Sequence, residues 1–424
     1  MSRNPSRGLK KHFAAALAAL PLMGAMAAES PAVSSDIPVP ARPATYAAEK
    51  QAHQNYLKDE APLKSTFFRD ASVRQMFPET QCTTFNGATG GVKVKEALRT
   101  LKEIDTLTGP LIGHYMAANE AWYCERKLSN IKGNLWGLTY DYYGIVAINE
   151  TKPMYRLLGV TAHETLHLMQ KARGLSEIDA AGDIYSLQSR FLANEAAAHA
   201  MEVAYAFELA QAGDMRAWDG LATPLIYADG RKNPSPYLGL QAAFAAGYAQ
   251  AVKLGATHAE ALKAGGRDTV TAFVTTEQAK LDIYNEIVLQ VYISRIGTEL
   301  TGPGKATWTD EKTMLAGKVT DHFSLTEGFT LPAPELRFGK NDGMRWAFEA
   351  ADLYRKKLGD APDYAELRAK AAAGGNPYLD VDFKAALEKM PGAILAASPV
   401  RTVSVLDQLS GRAPVKPPAP KVQR

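Results

Sequence analysis

The segment Leu158–Gln170 constrains this chain more than any other stretch. At its centre stands His163-Glu164-Thr165-Leu166-His167, an H-E-x-x-H pattern set among apolar residues. On a helix, residues four apart share one face, so the two imidazoles can reach a common metal ion. Glu164 sits beside them, placed to polarise a water and take its proton. With 8 His in 424 residues, chance would put this pattern in such a chain about once in a hundred times. Leu157, Leu158, Val160 and Leu168 supply an apolar setting, with Thr151 and Pro153 as start signals and Gly174 as a stop.

Catalytic zinc takes three protein ligands and leaves a position open, so a third donor is expected from a neighbouring element. The Ala-rich stretch 191–202 is strongly helix-forming, and its small residues allow close packing. Glu195, His199 and Glu202 share one face of it at i, i+4 and i+7. Glu195 is the expected third ligand. Glu202 and His199 are alternatives, as are Asp179 and Asp183 in the connection.

His163–His167 followed by Asn194-Glu195-Ala196 resembles the glutamate zincins, whose site is completed by a downstream Glu. The resemblance is closer to a bacterial metallopeptidase-like domain without an assigned function. Its pattern is a short apolar strand, then L-x-H-E-x-x-H-x-x-Q, then R-x-x-E-A-D-A. The matching residues here are Gly144–Asn149, Val160–Gln170 and Arg190–Ala198, with two extra residues before the Glu. The likeness covers residues 92–212. It departs from the family where Ala197 replaces an Asp, so a partner for a ligand imidazole is missing or is replaced, with His199 and Glu202 the candidates. The resemblance implies a zinc-dependent hydrolase and names no substrate.

Residues 1–27 read as a secretory signal: Arg3, Arg7, Lys10 and Lys11, a short apolar run Phe13–Met23, then Ala25-Met26-Ala27 as a cleavage site. The formal charge of +3 includes those four basic residues and no acidic ones, so the mature chain carries 3 − 4 = −1. No basic stripe marks a nucleic-acid partner, and no membrane span is expected in the mature chain. In an exported chain the two cysteines, Cys82 and Cys124, most simply form one disulfide.

The rest sets the architecture. Residues 28–63 form a Pro/Ala-rich linker and a short helix at 45–57 carrying His53. Residues 62–91 read as irregular. Helices are expected at 92–107 and 109–119, the second carrying His114 as a structural residue. A strand at 121–125 and a hairpin of 134–140 with 143–149 follow, dense in aromatic and β-branched residues. One of these strands can lie beside the motif helix and pair with an extended substrate, or simply cover a small sheet. Tyr205, ten residues after Glu195, is either an oxyanion donor or a core tyrosine.

Helical periodicity continues at 236–264, 268–297, 344–358 and 363–389, with His258 and His322 as ordinary residues and the tail disordered. The expected class is α+β and mostly helical: a zincin-like unit at 64–215, a helical unit at 216–410 and a tail at 411–424. The leading functional expectation is an exported zinc peptidase with one zinc per chain and a peptide or protein substrate. The alternatives are an inactive zincin-fold envelope scaffold and a zinc amidase acting on a non-peptide amide.

Overall fold

The computed structural model describes residues 34–59, 61–62, 64–65, 67, 77–128, 136–172, 184–226, 232–276, 318–319 and 329–330. Among these the fold is α+β and mostly helical. The expected signal (1–27), Asp179, Asp183, His322, the helices beyond 276 and the tail lie outside the described residues.

The chain opens with α1 (Tyr46–Asp59), then β1 (Cys82–Thr84), α2 (Val92–Glu103) and α3 (Thr108–Asn119). Next come β2 (Trp122–Arg126), β3 (Gly137–Tyr140), a single 3-10 turn at Asp141–Tyr143 and β4 (Ile145–Asn149). The motif helix is α4 (Met154–Ala172), and α5 (Ile184–Gln211) carries Glu195. Then follow α6 (Arg216–Ala222), β5 (Leu225–Ile226), β6 (Lys232–Asn233), α7 (Leu238–Lys253) and α8 (His258–Thr276). Two short strands, β7 (Lys318–Val319) and β8 (Phe329–Thr330), pair with each other.

Four strands form one sheet in the order β1-β2-β4-β3. β2 and β4 run parallel, and the outer pairs are antiparallel. Every residue of β4 is buried, and its alternation sorts the side chains between two cores. Val146 and Ile148 join the large helical core, while Ile145 and Ala147 join Phe77 and the two cysteines on the opposite face. Cys82 and Cys124 are register partners across β1 and β2 and are disulfide-bonded. The stretch 62–91 is therefore not wholly irregular. β1 is only three residues long, too short for a periodic signal, and it exists because β2 and the disulfide hold it in place.

The helix expected at 92–107 ends at Glu103. Its apolar face is as expected, with Val94, Ala97, Leu98 and Leu101 buried, but Leu107 instead leads into α3. The break is tertiary. A Cβ on Gly109 would lie 2.4 Å from the Leu101 carbonyl oxygen, so only glycine lets α3 start against the last turn of α2. Glu208, from α5, accepts hydrogen bonds from the backbone N–H of Leu107 (2.7 Å) and Thr108 (3.0 Å) and from the Thr108 hydroxyl. A helix N-terminus leaves such donors unsatisfied and favours a negative charge.

One hydrophobic cluster runs from Tyr46 to Val274 and takes side chains from both sides of residue 216. α7 and α8 pack into it beside α5, with Phe244, Tyr248 and Phe273 fully buried. His258, expected to be an ordinary residue standing alone, has two buried partners. It is fully buried, with Nε2 at 3.2 Å from Glu208 and Nδ1 at 2.7 Å from the Tyr248 hydroxyl.

Two stability predictions follow from these contacts. Reducing the Cys82–Cys124 bond, which closes a 42-residue separation, should cost about 4 kcal/mol by chain entropy, read from urea unfolding with and without reductant. Glu208→Ala strips a buried pair and a helix cap and should cost about 3–5 kcal/mol. Burial alone would raise the Glu208 carboxyl, but its bonds from His258, Leu107 and Thr108 hold it below the usual range. A depressed carboxyl stabilises the fold above the unfolded value of about 4.3 and loses that effect as pH falls through the folded value. The variant should thus lose less stability than the native chain on acidification below about pH 4.

Candidate metal centre

α4 is buried along almost its whole length, from Arg156 to Gln170, because the sheet, α2, α5 and α6 surround it. Its close neighbour is α5, whose Ala196, Ala197, Ala198 and Ala200 are fully buried. The approach is tightest at Gly159, where a Cβ would meet the Glu202 side chain at 3.0 Å. This packing brings the face of His163 and His167 against the face of Glu195, His199 and Glu202.

The Nε2 atoms of His163 and His167 lie 3.3 Å apart. Glu195 closes the triangle, 3.8 Å from His163 Nε2 and 3.6 Å from His167 Nε2. A tetrahedral zinc with ligands at 2.0–2.1 Å would hold its donor atoms about 3.3 Å apart, so this donor set fits one such ion. Each ring also has a partner on its other nitrogen. His163 Nδ1 is 3.4 Å from Glu202 Oε2, and His167 Nδ1 is 2.9 Å from Gln170 Oε1. Gln170 is in turn held by its Nε2 donating to the Asn194 carbonyl at 2.9 Å. His163, His199 and Glu202 form a second compact group that shares His163 with the first.

Electrostatics follow this crowding. Burial alone would lower the His163 pKa. The Glu202 hydrogen bond and the charges of Glu164, Glu202 and Glu195 outweigh it and push the ring up to about 9. Burial and the neighbouring His163 bring His167 down to about 4. Burial opposes ionisation of Glu202 as well, yet its bonds from His163 and His199 hold it well below the usual carboxylate range.

Glu164 is held from the sheet. The Thr139 hydroxyl lies 2.7 Å from both Glu164 Oε2 and the Glu164 carbonyl oxygen. Thr139 belongs to β3, the strand at the sheet edge nearest the motif helix. Gly137, two residues earlier, makes room for the same side chain. A Cβ there would sit 2.7 Å from Glu164 Cγ and 2.6 Å from Val160 Cγ1. No motif in the sequence marks Thr139, Gly137 or Tyr237 as parts of this centre. Tyr237, just before α7, packs edge-on against His199 with ring centroids 5.4 Å apart, and burial and the Glu202 charge push its phenol pKa well up.

Tyr205 belongs to the large hydrophobic core. It is fully buried, and the charges acting on its phenol are Glu208, Asp214 and Arg216 towards the far end of α5. Burial pushes its pKa well up. Of the two readings of Tyr205, its full burial fits the core tyrosine. His114 also stays apart: it takes no part in either His/Glu group.

The tightness at Gly137 gives a test. Gly137→Ala forces Val160 or Glu164 to move, and Val160 is stiff at its branched Cβ. The substitution should lower the unfolding free energy by about 1–3 kcal/mol in urea titration.

Comparison with curated proteins and with solved structures found no match. A family model described as "Putative metallopeptidase family (DUF6782)" matches residues 115–268. The match contains all of α4 and α5; it begins at 115 where 92 was expected from the sequence, and it runs past the expected 212 through α7 into α8. It supports a metallopeptidase domain over this stretch, which implies a metal cofactor and hydrolase chemistry.

Proposed function

We propose that this chain is an exported zinc-dependent peptidase of the glutamate-zincin type, with His163, His167 and Glu195 holding one zinc. The observation that carries the reading is the triangle of two Nε2 atoms and a Glu195 carboxylate, 3.3–3.8 Å on its edges, with Glu164 on the same helix. When bound there, zinc supplies Lewis acidity, lowering the pKa of a water and polarising a carbonyl.

The chain's own residues do the remainder. Glu164 accepts a proton from the attacking water and passes it to the amine as the peptide bond breaks. Thr139 fixes the Glu164 carboxylate at 2.7 Å, so its lone pairs are oriented before substrate arrives. Gln170 and Glu202 orient the two imidazoles from their Nδ1 sides. As the edge strand, β3 offers backbone donors and acceptors to an extended peptide beside Glu164. Residues 1–27 would direct export and then be removed. Mass spectrometry of the protein from the cell envelope should find a chain that begins at residue 28, and a retained Met1 would count against export.

The test is zinc content per mature chain after adventitious metal is removed, run beside Glu195→Ala and Glu164→Gln. A value near one is expected for the native chain and for Glu164→Gln, with loss in Glu195→Ala. Peptide hydrolysis should fall by a factor of at least about a hundred in Glu164→Gln. Hydrolysis that survives this change would sink the base assignment. A native value near zero would leave the scaffold reading as the better account.

A further inference from the structure

Beyond the three proposed ligands, the site holds a buried network whose components come from three separate parts of the chain. Glu202 is 1% exposed, and its Oε2 faces both His163 Nδ1 at 3.4 Å and His199 Nδ1 at 3.1 Å. The Tyr237 ring packs edge-on against His199 with centroids 5.4 Å apart, and burial and the Glu202 charge push its phenol pKa well up. Tyr237 comes from the loop before α7, outside the helix pair that carries the motif.

Its position is fixed on every side. The Trp136 ring stacks on it at 6.2 Å with an interplanar angle of 19°, and the Arg156 guanidinium lies over the Trp136 ring at 4.4 Å. Arg156 is anchored by donating to the Thr223 carbonyl at 2.6 Å. The Tyr237 backbone N–H donates to Ser235 Oγ at 3.2 Å, and Ser235 in turn bonds the Leu221 carbonyl. Phe273 of α8 closes the other side of His199, with centroids 5.1 Å apart.

These groups could be read as a second cation site, since His163, His199 and Glu202 lie close enough together. That reading requires His163 to bind through both nitrogens and so to give up both ring protons. A hydrogen-bond reading needs only the ordinary neutral ring, with Nε2 turned to the ligand triangle and the proton on Nδ1. Glu202 Oε2 then faces His163 Nδ1, accepts from His199 Nδ1 and is coupled electrostatically to the Tyr237 phenol. An ionised carboxylate this deeply buried persists only when donors surround it.

We infer that Tyr237 and His199 are positioning residues that hold the Glu202 carboxylate on His163, so that the segment after residue 216 sets how tightly the centre keeps its metal. This inference rests on the proposed zinc site and adds to it a residue that the motif helices do not contain. A partner of this kind on a ligand imidazole fixes the ring and its tautomer, and its loss costs 10–100-fold in metal affinity.

The experiment measures the zinc dissociation constant of the whole mature chain by competition with a chromophoric chelator. Glu202→Gln should weaken zinc about 10–100-fold, and Tyr237→Phe, which removes one hydroxyl and keeps the ring, about 10-fold. Phe273→Leu alters packing on the same His199 face without touching a hydrogen bond, and should change the constant less than about threefold. Urea unfolding of the zinc-free proteins separates lost affinity from a lost fold. Wild-type affinity in both Glu202→Gln and Tyr237→Phe would overturn the inference while leaving the metal site standing. Equal weakening in Phe273→Leu and Tyr237→Phe would overturn it too, since packing would then account for the effect. A native chain that takes up no zinc would overturn both readings.

Discussion

The close approach of α4 and α5 is the contact on which the rest of this structure depends. Neither helix makes a site alone. α4 offers two imidazoles one turn apart, and α5 offers two carboxylates and a third imidazole on one stripe. The stripes meet because Gly159 and the run of buried alanines leave no side-chain bulk between the backbones. A larger residue at Gly159 would press directly on Glu202. The functional side chains thus fill a space that in an ordinary helix pair would hold leucines.

α5 serves as the spine of two buried polar networks. At its middle, Glu202 joins His163, His199 and Tyr237. Nearly two turns on, Glu208 joins His258, the N-terminus of α3 and the Thr108 hydroxyl. Both carboxylates are essentially inaccessible to water. Both remain charged because hydrogen bonds replace the water they have lost, and in a low dielectric such bonds are strong when complete and costly when broken. The two networks differ in their use. Glu208 ties α3, α5, α7 and α8 together, whereas Glu202 touches a proposed ligand.

Much of this could be read in the chain. H-E-x-x-H predicted the facing imidazoles because four-residue spacing on a helix is geometry and needs no partner. Glu195 was legible from its stripe with His199 and Glu202, and the hairpin after residue 134 from its dense aromatics. Tyr205 stayed open between two readings because helix phase says which face a residue is on, but not whether that face meets substrate or core. Thr139, Gly137 and Tyr237 were silent. A lone threonine in a strand, a glycine beside aromatics and a tyrosine before a helix carry no periodic or motif signal, and each acquires its role only from what is packed against it.

The periodic elements, the α+β class, the paired cysteines and the spacing of the donor atoms along each helix were all written in the order of residues. Those are local properties, set by side-chain chemistry and backbone period. Tertiary structure alone decided that α2 stops at Glu103, that β1 exists, and which side of Glu202 faces His163. It also placed Tyr237 against that carboxylate from a segment more than thirty residues further along the chain. These outcomes depend on contacts between distant segments, where Gly109 and Gly159 permit an approach and buried charges select their partners.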